Sequence, residues 1–181
     1  MRNTILAILL LLTISWLAAE TIPSFKLPDL NNKEVKLEDL LNRGPVLIDF
    51  WATWCTSCKK GMIALNQLAE KYDSLTIVMI SIDAPKDVTK AKSYLKTNDY
   101  KFVALFDSEK KYAAKLNVTN PPRTIILDKT GEVVLSHDGY EAGTESIYEG
   151  KIRELLKLPA LESAMPDCGS PVPCSECPVK Q

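Results

Sequence analysis

The chain has 181 residues, 46% of them hydrophobic and 25% charged, with a formal net charge of −1. That length and balance fit one globular domain, large enough to bury a core, with extra segments at its ends. Basic residues are interleaved with acidic ones, which leaves no electrostatic footprint for nucleic acid, so no nucleic-acid partner is expected.

The first 19 residues carry one Arg near the start, an apolar run from Thr4 to Leu17, and the small pair Ala18 and Ala19. This is the order of a secretory signal peptide. The run is shorter than the roughly 20 apolar residues of a spanning helix, which predicts cleavage near Ala19. Leu17 stands where a small residue is commonest, so an uncleaved anchor is the alternative. Either way the domain is expected in the periplasm or otherwise outside the cytoplasm. Disulfides persist there, and five cysteines leave at least one thiol free, transiently paired or bonded to another molecule.

The stretch FKLPDLNNKEVKLEDLL predicts two short extended segments around Asn31-Asn32, then a brief helix that ends at Gly44-Pro45. Val46 to Trp51 is an apolar run broken only by Asp49, the pattern of a buried central strand. Apolar residues at helical spacing from Cys58 to Tyr72 predict a helix, and LTIVMISID a second buried strand. Pro85 to Thr97 reads as a helix, KFVALFD as a strand and SEKKYAAKLNV as a helical connection. TIILD and EVVLSHD flank Lys129-Thr130-Gly131 as an antiparallel hairpin, followed by a final helix from Gly143 to Leu158. The order is mixed α/β, with a folded domain expected over residues 22–158. Residues 159–181 are expected to form a tail, since frequent Pro disfavours regular helix or a central strand.

FWATWCTSCKK places Cys55 and Cys58 where the buried strand meets the following helix. Unpaired N–H groups and the helix dipole at such a position stabilise a thiolate. Cys55 is the expected attacking sulfur. Cys58, one turn inward, is placed to attack the mixed disulfide that Cys55 forms with a substrate. A zinc site would need a second ligand pair, which is absent nearby. Asp49 sits among apolar neighbours. Desolvation there raises a carboxyl pKa, so it can take a proton from Cys58 near neutral pH. Trp51 and Trp54 shield the site, and Trp54 offers apolar contact to a partner.

With these residues the chain resembles the thioredoxin superfamily, most closely its exported TlpA-like and ResA-like branch, from about Phe25 to Leu158. The anchors are FKLPDLNNKEVKLEDL as an added hairpin, VLIDFWATWCTSCKK as the redox segment, and NPPRTIILDKTG as the proline loop and hairpin. The resemblance implies a thioredoxin-like fold: a central mixed sheet flanked by helices, with an added amino-terminal β-hairpin. It also implies thiol-disulfide exchange without cofactor or metal, and a cis bond before Pro122, which with Pro121 would border the substrate groove. Asp49 matches the buried acid of thioredoxins. The expected partners are exported protein disulfides or dithiols, apocytochrome c among them, and a membrane thiol donor or acceptor. The expected role is that of a reductant acting as a monomer, although the Thr56-Ser57 dipeptide does not settle direction.

Three positions depart from that pattern. Gly61 stands where many TlpA-like proteins have Glu, and Ile63 where thioredoxins kink the helix with Pro. Pro121 precedes the expected cis-proline and has no N–H, which predicts one fewer main-chain hydrogen bond to substrates.

Cys168, Cys174 and Cys177 lie in the tail without a helix to activate them. The tail reads as structural or idle, as an exchange partner for Cys55, or as an incomplete metal set. Two other functions compete. A copper-binding thioredoxin-like protein would use the two cysteines with His137, read here as an exposed strand end. A peroxiredoxin-type peroxidase would need Thr or Ser three residues before the reactive cysteine, where this chain has Ala52.

Overall fold

The computed structural model describes residues 20–159; the leader and the tail cysteines Cys168, Cys174 and Cys177 lie outside the described residues. Lys26–Pro28 (β1) and Glu34–Lys36 (β2) pair antiparallel. The turn between them forms because the Asp29 carboxylate accepts the backbone N–H groups of Asn31 at 2.7 Å and Lys33 at 2.9 Å. Asn32 takes the left-handed conformation there, with φ of 64°, which Asn tolerates better than most residues. A five-residue helix follows, Leu37–Leu41 (α1).

Val46–Trp51 (β3) is buried at every position, as its apolar run requires of a strand covered on both faces. Thr56–Lys71 (α2) leads to Thr76–Ser81 (β4). A single 3₁₀ turn at Pro85–Asp87 opens Val88–Asn98 (α3), where one helix was expected, and Val103–Phe106 (β5) follows. Lys111–Lys115 (α4), Arg123–Leu127 (β6), Val133–Asp138 (β7) and Thr144–Leu155 (α5) complete the chain. The main sheet runs β5-β4-β3-β6-β7, parallel across the first three strands and antiparallel across the last three.

Right-handed β3-α2-β4 and β4-α3-β5 crossovers put both helices on one face of this sheet. The α5 helix joins them: the Tyr72 hydroxyl, just past α2, donates to the Glu149 carboxylate of α5 at 2.6 Å. On the other face, Tyr112 of α4 packs edge-on against Phe25 at 5.1 Å and stacks on Phe50 at 6.1 Å. The added hairpin therefore closes the second face, which would otherwise expose β3 to water. Because side chains alternate along a strand, Leu47, Asp49 and Trp51 share the α2 face, and Trp51 meets Tyr94 of α3 at 5.7 Å. Among the described residues, no helix is long and apolar enough to cross a membrane.

Candidate active site

The first intrahelical turn of α2 is built around sulfur. Cys55 is the N-cap residue, with extended φ and ψ of −88° and 104°, and its Sγ accepts the backbone N–H of Cys58 at 3.1 Å. An oxygen acceptor normally fills this position; here a sulfur does, so the helix amides that stay unpaired at any N-terminus point at the reactive atom. No acidic residue lies in that turn. The local field therefore favours a thiolate at Cys55. The two sulfurs are bonded to each other at 2.03 Å, so the structure represents the oxidised state.

The turn before the helix is held from beneath. Asp83, fully buried two residues past β4, accepts the Thr53 backbone N–H at 3.0 Å, the Thr53 hydroxyl at 2.7 Å and the Ser81 hydroxyl at 2.9 Å. A further bond from the Cys55 N–H to the Ala52 carbonyl, 3.0 Å, closes the turn. The Thr53 hydroxyl is thus committed to Asp83. Nothing at positions 52 or 53 is free to meet a peroxide as the peroxidase alternative requires.

An open groove of about 800 Å³ lies over Cys55, lined by Trp54, Cys55, Thr56, Ser57, Lys60, Pro121, Tyr140, Glu141 and Ala142. Cys58 is not among its walls. Trp54 is 59% exposed, whereas Trp51 is fully buried in the core, so of the two indoles only Trp54 can meet a partner. The Pro121–Pro122 peptide bond is cis. Pro121 faces the groove, while Pro122 is buried, lines a neighbouring recess with Asn120 and Asp138, and accepts the Gly139 N–H at 2.8 Å.

Asp49 is 3% exposed, and burial pushes its carboxyl up to about 7, against the partial relief of a hydrogen bond from the Thr124 hydroxyl at 2.7 Å. The ladder aligns Asp49 with Thr124 and Thr124 with His137, one polar row across three strands beneath α5. Above the row lies the buried Tyr148 hydroxyl, which burial raises to about 12 against the partial relief of the nearby Thr124 hydroxyl. His137 is not the exposed strand end that the sequence suggests: it is half-buried, edge-on to the Tyr148 ring at 5.9 Å. It sits level with Asp49, two strands from β3, where register gives it no direct approach to the sulfurs.

The AhpC/TSA family model matches residues 18–136, about two thirds of the chain. The chain belongs to the AhpC/TSA family. Within it, the chain is 32% identical to the thiol-disulfide oxidoreductase ResA of Bacillus cereus over 133 residues, covering 74% of this chain and 75% of that one. The thioredoxin-like protein YneN of Bacillus subtilis is 34% identical over 119 residues, covering 65% and 69%. A solved structure of a putative thiol:disulfide interchange protein DsbE from Chlorobium tepidum superposes with a TM-score of 0.70 and 28% identity, covering 76% of this chain and 96% of that one. This AhpC/TSA protein is a ResA/TlpA-like member of the thioredoxin superfamily and a thiol-disulfide oxidoreductase.

Two parts of the site were invisible in the sequence. Tyr140, Glu141 and Ala142 reach the groove only because the β7–α5 loop folds back over α2, where Lys60 already borders it. The Asp83 bracket was hidden because Asp83, 30 residues beyond Thr53, reaches that turn only in the fold.

Proposed function

We propose that the protein is an extracytoplasmic reductant of disulfides in exported polypeptides, with Cys55 as nucleophile and Cys58 as resolving thiol. The observation that carries this reading is that Cys55 borders the groove and Cys58 does not. In the reduced protein the Cys55 thiolate attacks one sulfur of a substrate disulfide and expels the other as a thiolate. Cys58 then attacks Cys55 Sγ, which releases the second substrate thiolate and leaves the Cys55–Cys58 disulfide seen here. Asp49 takes the Cys58 proton, since a carboxyl near 7 is half-ionised at neutral pH. The two electrons are returned by a thiol donor at the membrane.

The signal-like order of residues 1–19 supports action outside the cytoplasm, whether cleaved or anchored. The TlpA-like resemblance supports apocytochrome c as a substrate. Pro121 offers a passing chain only its carbonyl, so main-chain pairing there is limited to a single bond.

Trapping tests the assignment. Reduced Cys58→Ser should accumulate a covalent adduct with a protein disulfide, and Cys55→Ser should accumulate none, read by non-reducing mass analysis. An adduct formed through Cys58 in the Cys55→Ser variant would overturn the order of attack.

A further inference from the structure

The β7–α5 loop is fixed over the amino-terminal half of α2. Gly139 opens it with φ of 85° and Gly143 ends it with φ of 101°. Between them Tyr140 donates its hydroxyl to the Glu145 carboxylate at 3.0 Å, and the same oxygen accepts the Gly143 N–H at 3.0 Å. The Tyr140 ring lies against Gly61, so close that a Cβ at position 61 would stand 3.1 Å from two of its carbons. A side chain at 61 and the ring at 140 compete for one space, and here the ring has it. Its remaining surface faces the groove over Cys55, beside Trp54 and Pro121.

We propose that Tyr140 is a specificity residue: with Trp54 and Pro121 it selects substrates that carry an apolar residue beside the reacting cysteine, and Gly61 is the socket that seats it. This rests on the exchange reaction at Cys55 proposed above. Three apolar bodies around one sulfur reward a substrate side chain that they can desolvate. Lys60 and Glu141 give the groove both signs of charge, so it makes no demand on a substrate's net charge. Tyr140 acts on binding of the substrate, not on the thiol chemistry, so it discriminates between substrates.

Two synthetic disulfide-bonded peptides, identical except for Leu or Ser beside the cysteine, provide the probe. Reduced wild-type protein should react with the Leu peptide about tenfold faster than with the Ser peptide. Tyr140→Ala should bring that ratio close to one, and Tyr140→Phe, which keeps the ring and loses only the Glu145 bond, should retain it. Tyr140→Leu, which keeps apolar volume without a ring, should give an intermediate ratio. A ratio near one in the wild type, or an equal ratio in wild type and Tyr140→Ala, overturns the proposal. Wild-type protein that reduces neither peptide would instead refute the exchange reaction on which the proposal stands.

Discussion

Asp49 illustrates how one residue can be set against the fold it belongs to. Its carboxyl has a value of 3.8 in the open chain and about 7 when buried. Between those values the unfolded chain has lost the proton and the folded one still holds it. The native state then binds more protons, so stability falls as pH rises, and the whole penalty is present above the folded value. Replacement by Asn keeps the shape and removes the titration. Oxidised Asp49→Asn should therefore be more stable than wild type at about pH 8, by at most about 4 kcal/mol, and equal to it near about pH 3. Urea unfolding at the two pH values checks this, and an equal difference at both would show that the carboxyl does not titrate as its burial requires. In the proposed mechanism that cost accompanies the use of Asp49 as acceptor of the Cys58 proton.

At the scale of elements, the site depends on the junction between β3 and α2, and this junction was the most legible part of the sequence. An apolar run fixes β3, and helical spacing fixes α2, so the sulfurs had to fall at their meeting point. The hairpin at Asn31-Asn32 was readable for a similar reason, since Asx chemistry is local. What brackets the junction was not readable, because it comes from elsewhere in the chain. Asp83 lies 30 residues beyond Thr53, and Tyr140 reaches Gly61 only through the packing of α5 beside α2. Gly61 marked an absence in the sequence, and only the three-dimensional contact shows what fills it. His137 failed for the same cause: the strand end was correctly placed, but α5 covers it. The Asp83 bracket gives a prediction at this scale. Asp83→Ala strands a buried N–H and two hydroxyls, so it should cost about 3 kcal/mol in urea unfolding and also slow exchange by loosening the Cys55 turn. A stable variant with wild-type exchange rates would show that the turn holds itself.

For the molecule as a whole, the sheet separates two tasks. One face, closed by the hairpin and α4 around Phe25, Phe50 and Tyr112, serves stability. The other carries α2, α3 and α5, and with them the sulfurs, Asp49 and the groove. One fold can host more than one chemistry, so the reaction must be argued from the residues at the β3–α2 junction, not from the fold. There the chain presents a cysteine at a helix N-terminus, a second one turn inward, and a buried acid on the α2 face of β3, an arrangement suited to thiol-disulfide exchange, for which we propose the reducing direction. The midpoint potential of the Cys55–Cys58 couple, by equilibration of residues 20–159 against dithiothreitol buffers, tests that claim most directly. A single two-electron transition near about −250 mV is the result predicted for a reductant. A midpoint at about −120 to −180 mV would make the protein a disulfide donor, and the absence of any transition would make the bond structural; either contradicts the account.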